Sequence, residues 1–101
     1  MRLQAFSVFD KAVGAFLPPF YVRSRGEALR GFSQAVNDEK HDFNRHAADF
    51  SLMFLGEFDD QSGVFQTSDP VRVISAFECL AENPFTPETE TKADKVRKLP
   101  M

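Results

Sequence analysis

The segment from Phe50 to Gly63 constrains the fold of this chain more than any other part of the sequence. Apolar residues at every second position give it one face, which comprises Phe50, Leu52, Phe54, Gly56 and Phe58. A period of two is that of a β-strand. Turn residues follow at 59–63, and an extended pattern resumes at 64–67. The segment therefore predicts a β-hairpin, and the phenylalanines of this face are expected in the core.

Two extended segments and a helix are predicted before the hairpin. The extended segments cover 2–9 and 15–22, and the Pro18-Pro19 pair interrupts the second one. Proline cannot donate a hydrogen bond to a neighbouring strand, so this strand is expected at an edge or with a bulge. A helix is predicted over 24–37, because Ser24 and Glu27 have the spacing of a capping box and apolar residues follow at helical intervals.

The region after the hairpin leaves two structures open. Asp69-Pro70 resembles a helix start, whereas the alternating β-branched residues of 71–76 favour a strand, which we prefer. The predicted fold is a single α+β domain over 1–81. It has a mainly antiparallel sheet of four to five strands in the order β-β-α-β-β-β, with one long helix packed on one face. Residues 82–101 contain three prolines and many polar residues, and are predicted to be a disordered tail.

The composition argues against several classes of protein. No apolar run approaches the about 18 residues of a membrane span, and no secretion signal is recognisable. Cys79 is the only cysteine, which rules out an intramolecular disulfide. His41 and His46 lack the further ligands that a metal site needs, and no nucleophile motif is present. We therefore expect no enzyme activity, no metal and no cofactor.

The charges are unevenly distributed along the chain. Residues 1–46 carry seven basic against five acidic side chains, whereas residues 47–81 carry one basic against six acidic ones. A cationic track beside an aromatic ring is what single-stranded DNA requires. The candidate residues for such a site are Lys11, Tyr21, Arg23, Arg25 and Arg30. Ordinary surface charge is the alternative, and the isoelectric point of about 5.3 favours it.

A second surface is predicted on the long strand of the hairpin. Met53 and Leu55 alternate with the core positions, so they belong to the face that a single helix leaves uncovered. Two neighbouring apolar residues in so small a chain suggest a patch that another surface covers. We therefore predict a homodimer, joined through the face that carries Met53 and Leu55 or through an exposed edge of the sheet, since two-fold dimers are the commonest closed assemblies.

Several stretches resemble one family of phage proteins. The likeness lies in 6–20, 25–30 and 32–37, and is densest in 46–59 with Ser62-Gly63. These stretches resemble the small nonstructural proteins of gokushovirus-type microviruses, which are single-stranded DNA bacteriophages. The resemblance covers roughly residues 3–75. Family members usually carry a proline where this chain has Ala47, so the turn before the long strand is expected to differ.

The resemblance implies a non-enzymatic phage protein that is made in the host bacterial cytoplasm. It further implies binding to single-stranded DNA, or to the replication and packaging complex, during viral genome synthesis. Viral replication or capsid proteins are then possible partners. The alternative is a protein-interaction module that acts on host factors or in virion assembly without contacting nucleic acid.

Overall fold

The computed structural model of the protein describes residues 1–80, which form a mostly antiparallel five-stranded sheet with short helices on one face. The sheet order is β2-β1-β4-β5, and β3 continues beside β2 on the same edge of β1. The strands are β1 (Arg2–Asp10), β2 (Ala15–Phe16), β3 (Phe20–Val22), β4 (Phe50–Asp59) and β5 (Phe65–Ser75). The predicted disordered tail over 82–101 lies outside the described residues.

Several helical segments cover one face of the sheet. They are α1 (Arg25–Val36), α2 (Asp42–Arg45), a 3₁₀ turn (Ala47–Asp49) and α3 (Ala76–Cys79). The prediction of one long helix is not confirmed, because α1 has 12 residues and shares the core with the shorter segments. Between the helices and the sheet lie the buried side chains of Phe6, Val8, Ala28, Phe32, Val36, Phe50 and Leu52.

Side-chain caps fix where the helices begin. Ser24 Oγ accepts a hydrogen bond from the Glu27 backbone N–H at 3.2 Å, as the capping-box spacing predicted. The Glu27 carboxylate accepts its hydrogen bond from the backbone N–H of Arg23, the residue before the cap, at 3.0 Å. Ser75 and Glu78 form a full capping box at α3. The strand preferred after Asp69-Pro70 is therefore confirmed, since β5 continues through Ser75. The alternative of a helix that starts at Asp69-Pro70 is wrong, because α3 begins only at Ala76.

Two proline sites interrupt the sheet where proline is tolerated. Pro18-Pro19 divides the second extended segment into β2 and β3, which confirms the predicted interruption on an edge. Pro70 lies in a bulge of β5, where the residues 68–70 separate the pairs Phe54↔Val71 and Gly56↔Thr67. The two extended segments predicted after the β4 turn are thus a single strand, β5. The order is β-β-β-α-β-β rather than the predicted β-β-α-β-β-β, because the second predicted strand is divided instead.

A bulge in β4 changes which side chains reach the core. Phe6 pairs with Phe54 and Ala5 pairs with Gly56, so Leu55 is one extra residue on β4. Because side chains alternate along a strand, one inserted residue moves every later side chain to the other face. The prediction that Phe58 shares the core face with Phe54 is therefore wrong. Phe58 lies on the face opposite the helices, which we call the open face.

Gly56 is the residue that permits this bulge. Its φ of +142° is a conformation that side chains disfavour, and a Cβ there would lie 2.3 Å from the carbonyl oxygen of Gln66. The chain therefore needs glycine at the point where β4 passes between β1 and β5.

Candidate nucleic-acid interface

Three aromatic rings meet on the open face, at the end of the sheet nearest the β4–β5 turn. Tyr21 of β3, Phe58 of β4 and Phe65 of β5 form this aromatic cluster. The ring centroids are 5.7 Å apart for Tyr21 and Phe58, 4.7 Å for Phe58 and Phe65, and 6.3 Å for Tyr21 and Phe65. Tyr21 is 44% exposed and Phe65 is 52% exposed. Aromatic rings held together at a solvent-exposed surface can stack on other planar groups.

The strand register brings these rings together. Tyr21 pairs with Ala5, Ala5 with Gly56, and Gly56 with Thr67, so two very small residues occupy the middle of one row across the sheet. The next row places Phe58 opposite Phe65. Because Ala5 and Gly56 leave space between the outer strands, the rings of Tyr21 and Phe65 can approach each other over the sheet.

The structure separates most of the five predicted DNA-binding residues. Tyr21 lies in the aromatic cluster, and Arg23 follows it by two residues at the bend before α1. Lys11 lies in the β1–β2 turn, beyond the far end of β1. Tyr21 pairs with Ala5, which is five residues before that end of β1. Lys11 is therefore at least roughly 17 Å along the strand direction from Tyr21.

The two remaining predicted residues lie on α1. Arg25 is its first residue. Arg30 lies on the side of α1 that is turned away from the sheet, because the buried side is formed by Ala28, Phe32 and Val36. Tyr21 and Arg23 thus belong to one end of the open face, with Arg25 next to them in the chain, whereas Lys11 and Arg30 lie elsewhere.

The acidic side chains near the aromatic cluster interact with other groups of the protein. Arg2 Nη1 lies 2.7 Å from Glu57, and the amino group of Met1 lies 2.8 Å from Asp60. The hydrogen bond with Asp60 raises the pKa of that amino group, and the backbone N–H of Gln61 lowers the pKa of Asp59. Glu57, Asp59 and Asp60 therefore each have an ion pair or a hydrogen bond within the protein.

The side chains of the predicted basic residues are not ion-paired in the described part of the chain. Within residues 1–80, Lys11, Arg23, Arg25 and Arg30 make no ion pair. The Glu27 carboxylate does occupy the N-terminal end of α1, where it accepts the bond from Arg23 N–H. A phosphate near α1 would thus meet the arginine side chains rather than a vacant helix end.

The two predicted dimer residues lie on the open face. Met53 pairs with Ser7 in the middle of the sheet, and Leu55 lies at the bulge. Both side chains are half-buried. The homodimer through these residues stays a prediction.

The other candidate groups have local structural roles. His41 Nδ1 accepts a hydrogen bond from Phe43 N–H at 3.0 Å and caps α2. Burial raises the pKa of the Cys79 thiol to about 11, which keeps it protonated at neutral pH. Across residues 1–80, no three His, Cys, Asp or Glu side chains are grouped so as to hold a metal ion. None of the helices in that part of the chain is long and apolar enough to span a membrane.

Sequence reasoning misses two members of the aromatic cluster. It assigns Phe58 to the core, and it assigns Phe65 to no site. The signal that could have found Phe58 is Gly56, because a glycine inside a strand pattern often marks a bulge. Once Phe58 is assigned to the open face, Phe65 is assigned there too, because the two residues pair across β4 and β5.

The comparisons with known proteins give one result. Residues 3–79 match the family described as Phage ORF5 protein, whereas no curated protein and no solved structure shows a significant match. The match covers well over half of the chain and confirms the phage assignment. The narrower assignment to gokushovirus-type microviruses stays a prediction. This chain belongs to the Phage ORF5 protein family.

Proposed function

We propose that this phage protein is a non-enzymatic module that binds single-stranded DNA during viral genome synthesis. The observation that carries the proposal is the exposed aromatic cluster on the open face of the sheet. Single-stranded nucleic acids bind to exposed aromatic residues because each unpaired base offers a flat ring for stacking. Tyr21, Phe58 and Phe65 supply such a surface, and all described helices pack on the other face.

Phosphate contacts in this proposal come from the arginines nearest the cluster. Arg23 is two residues from Tyr21, and neither Arg23 nor Arg25 is ion-paired within residues 1–80. A strand stacked on Tyr21 would have its backbone near these side chains. Lys11 and Arg30 could contact phosphates only if a longer DNA strand extended beyond the open face.

The direct test is a titration with single-stranded DNA. Tyr21 is the only tyrosine and the chain has no tryptophan, so tyrosine emission reports on this one ring. We expect a fluorescently labelled oligonucleotide to bind at low salt, with quenching of tyrosine emission, and to bind more weakly between roughly 50 mM and 200 mM salt. No binding at the lower salt concentration contradicts the proposal.

Alanine variants localise the contact. Replacing Tyr21 or Phe65 by alanine is expected to weaken binding by about 1–3 kcal/mol each, which is the usual contribution of one stacked base. Phe16→Ala is the matched control, because Phe16 is also 44% exposed and lies on the open face opposite Phe9, away from the cluster. Equal losses in all three variants would argue against a site at the cluster.

Protein interaction through the open face is the second candidate function. Besides the cluster, Phe16 is exposed on this face, and Met53 and Leu55 are only half-buried. A second copy, a viral replication or capsid protein, or a host factor would cover this apolar surface. Light scattering separates a dimer from a monomer, and replacing Met53 and Leu55 together by glutamate is expected to give a folded monomer if the homodimer forms there.

A further inference from the structure

A small apolar cleft lies beside the aromatic cluster on the open face. Its volume is about 120 Å³, and its lining includes Ala5, Pro19, Tyr21, Leu55, Gly56 and Phe65. Thr67 lines the same cleft from β5. The cleft is thus formed by residues of β1, β3, β4 and β5, together with the proline that precedes β3.

The backbone geometry keeps this cleft open. Its floor is formed by Ala5 and Gly56, which pair directly across β1 and β4. Gly56 cannot be replaced by a residue with a side chain unless the strands move, since its Cβ would lie 2.3 Å from the Gln66 carbonyl oxygen. The bulge also brings Leu55 to the wall of the cleft. The cleft in the open face is therefore a direct consequence of this strand register and of the small residues at its floor.

The rim of the cleft carries two hydroxyl groups that are free to bind a ligand. Tyr21 and Thr67 are both exposed, and neither hydroxyl hydrogen-bonds to another residue within 1–80. A hydroxyl can donate one hydrogen bond and accept others. An apolar slot with an aromatic wall and polar groups at its rim matches a nucleobase, which has two flat apolar faces and a polar edge.

We infer that this cleft takes one unpaired base of a single-stranded DNA, with Thr67 and Tyr21 contacting the base edge. The inference rests on the proposed function. Arg23 supplies positive charge for the attached phosphate, because it lies two residues from Tyr21 and has no ion pair within residues 1–80. Glu57 also lines the cleft, and its carboxylate is paired with Arg2 at 2.7 Å. An apolar side chain from a protein partner would use neither the hydroxyl groups nor Arg23.

This arrangement also selects against duplex DNA. Bases in a duplex are stacked and paired, so one of them could enter the cleft only after leaving the helix, at a cost of a few kcal/mol. We therefore expect an oligothymidylate to bind at least about tenfold more tightly than a duplex of the same length at equal salt.

The first experiment uses the smallest probes. Thymidine 5′-monophosphate and deoxyribose 5′-phosphate are titrated separately into isotope-labelled full-length protein, and the Ala5 methyl and Gly56 amide signals are followed by NMR. We expect the nucleotide to shift both signals and the sugar phosphate to leave them unchanged. Equal effects of both compounds, or no effect of either, would overturn the base-binding role of the cleft.

The second experiment closes the cleft in a protein that still folds. Thr67→Phe adds a ring at an exposed position of an edge strand, where aromatic residues are well tolerated. It is expected to weaken oligothymidylate binding about tenfold or more. Val71→Phe is the matched control, because Val71 is also exposed on β5 but pairs with the core-facing Phe54. Thr67→Val keeps the size and removes only the hydroxyl, so it should show a smaller loss.

The outcomes distinguish the two proposals. If oligothymidylate binds the wild type and Thr67→Phe equally well, the cleft is not the base site, although the protein still binds single-stranded DNA. If no oligonucleotide binds at low salt, both proposals fail. A dimer in light scattering that dissociates in Thr67→Phe would then identify a second copy of this chain as the occupant of the open face.

Discussion

Phe54 and Phe58 lie on opposite faces of the sheet, although they are four residues apart on the same strand. Phe54 packs edge-on against Phe6, with ring centroids 5.4 Å apart, and joins the core under the helices. Phe58 packs against Tyr21 and Phe65 on the open face. The extra residue Leu55 causes this change. One strand thereby contributes both to the stability of the domain and to its candidate binding surface.

The first prediction concerns the glycine at the bulge. Gly56→Ala should destabilise the protein by about 3 kcal/mol or more, because a φ of +142° is strained for alanine and the new Cβ would overlap Gln66 backbone atoms. Urea unfolding measures the change. Gly31→Ala is the control: Gly31 lies in α1, and a Cβ added there would meet no other part of the protein within 4 Å, so alanine should stabilise the helix by up to about 1 kcal/mol. Similar effects in both variants would contradict the proposed role of Gly56.

The second prediction separates the two phenylalanines. Phe54→Ala should cost about 2–3 kcal/mol of folding free energy, because it removes a ring that packs on the core. Phe58→Ala should cost about 1 kcal/mol, since its ring contacts only exposed or half-buried neighbours on the open face. Binding of single-stranded DNA should show the reverse order, with the larger loss in Phe58→Ala. Unfolding curves and oligonucleotide titrations on the same two variants give both quantities.

Local sequence signals predicted much of the fold. The turn residues of 59–63 predicted the hairpin, and Gly63 has the positive φ, 77°, that such a turn uses. The spacing of Ser24 and Glu27 located the start of α1. These features depend on residues close together in the chain, so their residue types are sufficient to predict them.

The candidate site depends on contacts that sequence spacing does not contain. A period of two cannot show that β4 carries an extra residue at Leu55, so the predicted face of Phe58 is wrong. The arginines are close together in sequence, but this closeness does not make them one cluster in space. Whether Arg30 lies near Tyr21 depends on which sheet face α1 covers, and that is decided by the packing of Phe32 and Val36 on the core.

The third prediction concerns acid sensitivity at the start of α3. Glu78 Oε1 accepts hydrogen bonds from the Ser75 backbone N–H at 2.9 Å and from Arg72 Nη2 at 2.7 Å. The bond with the Ser75 backbone is the main cause that lowers the pKa of Glu78. A carboxyl whose pKa is lower in the folded than in the unfolded state stabilises the fold at pH values above its unfolded pKa. This stabilisation is lost as the pH falls through the folded pKa.

The test compares charged and uncharged side chains at position 78. Glu78→Gln should lower the free energy of unfolding by about 0.5–1 kcal/mol at neutral pH, and the difference from the wild type should nearly vanish at about pH 3. Glu39→Gln is the control, because Glu39 is exposed and has no ion pair within residues 1–80. A difference for Glu78→Gln that grows towards acidic pH would show that the sign is wrong.

The last prediction concerns how the arginines contribute to DNA binding. Each phosphate that a side chain neutralises on a single strand adds about 0.7 to the slope of log affinity against log salt. Arg23 follows Tyr21 of the aromatic cluster by two residues, whereas Arg30 lies on the outer side of α1. With an oligonucleotide just long enough to cover the cluster, Arg23→Gln should therefore reduce this slope by about 0.7. Arg30→Gln should leave the slope unchanged, and it serves as the control because both variants remove one positive charge from the net charge of the protein. Equal reductions in both variants would indicate that the DNA responds to the overall charge of the molecule rather than to a site at Tyr21.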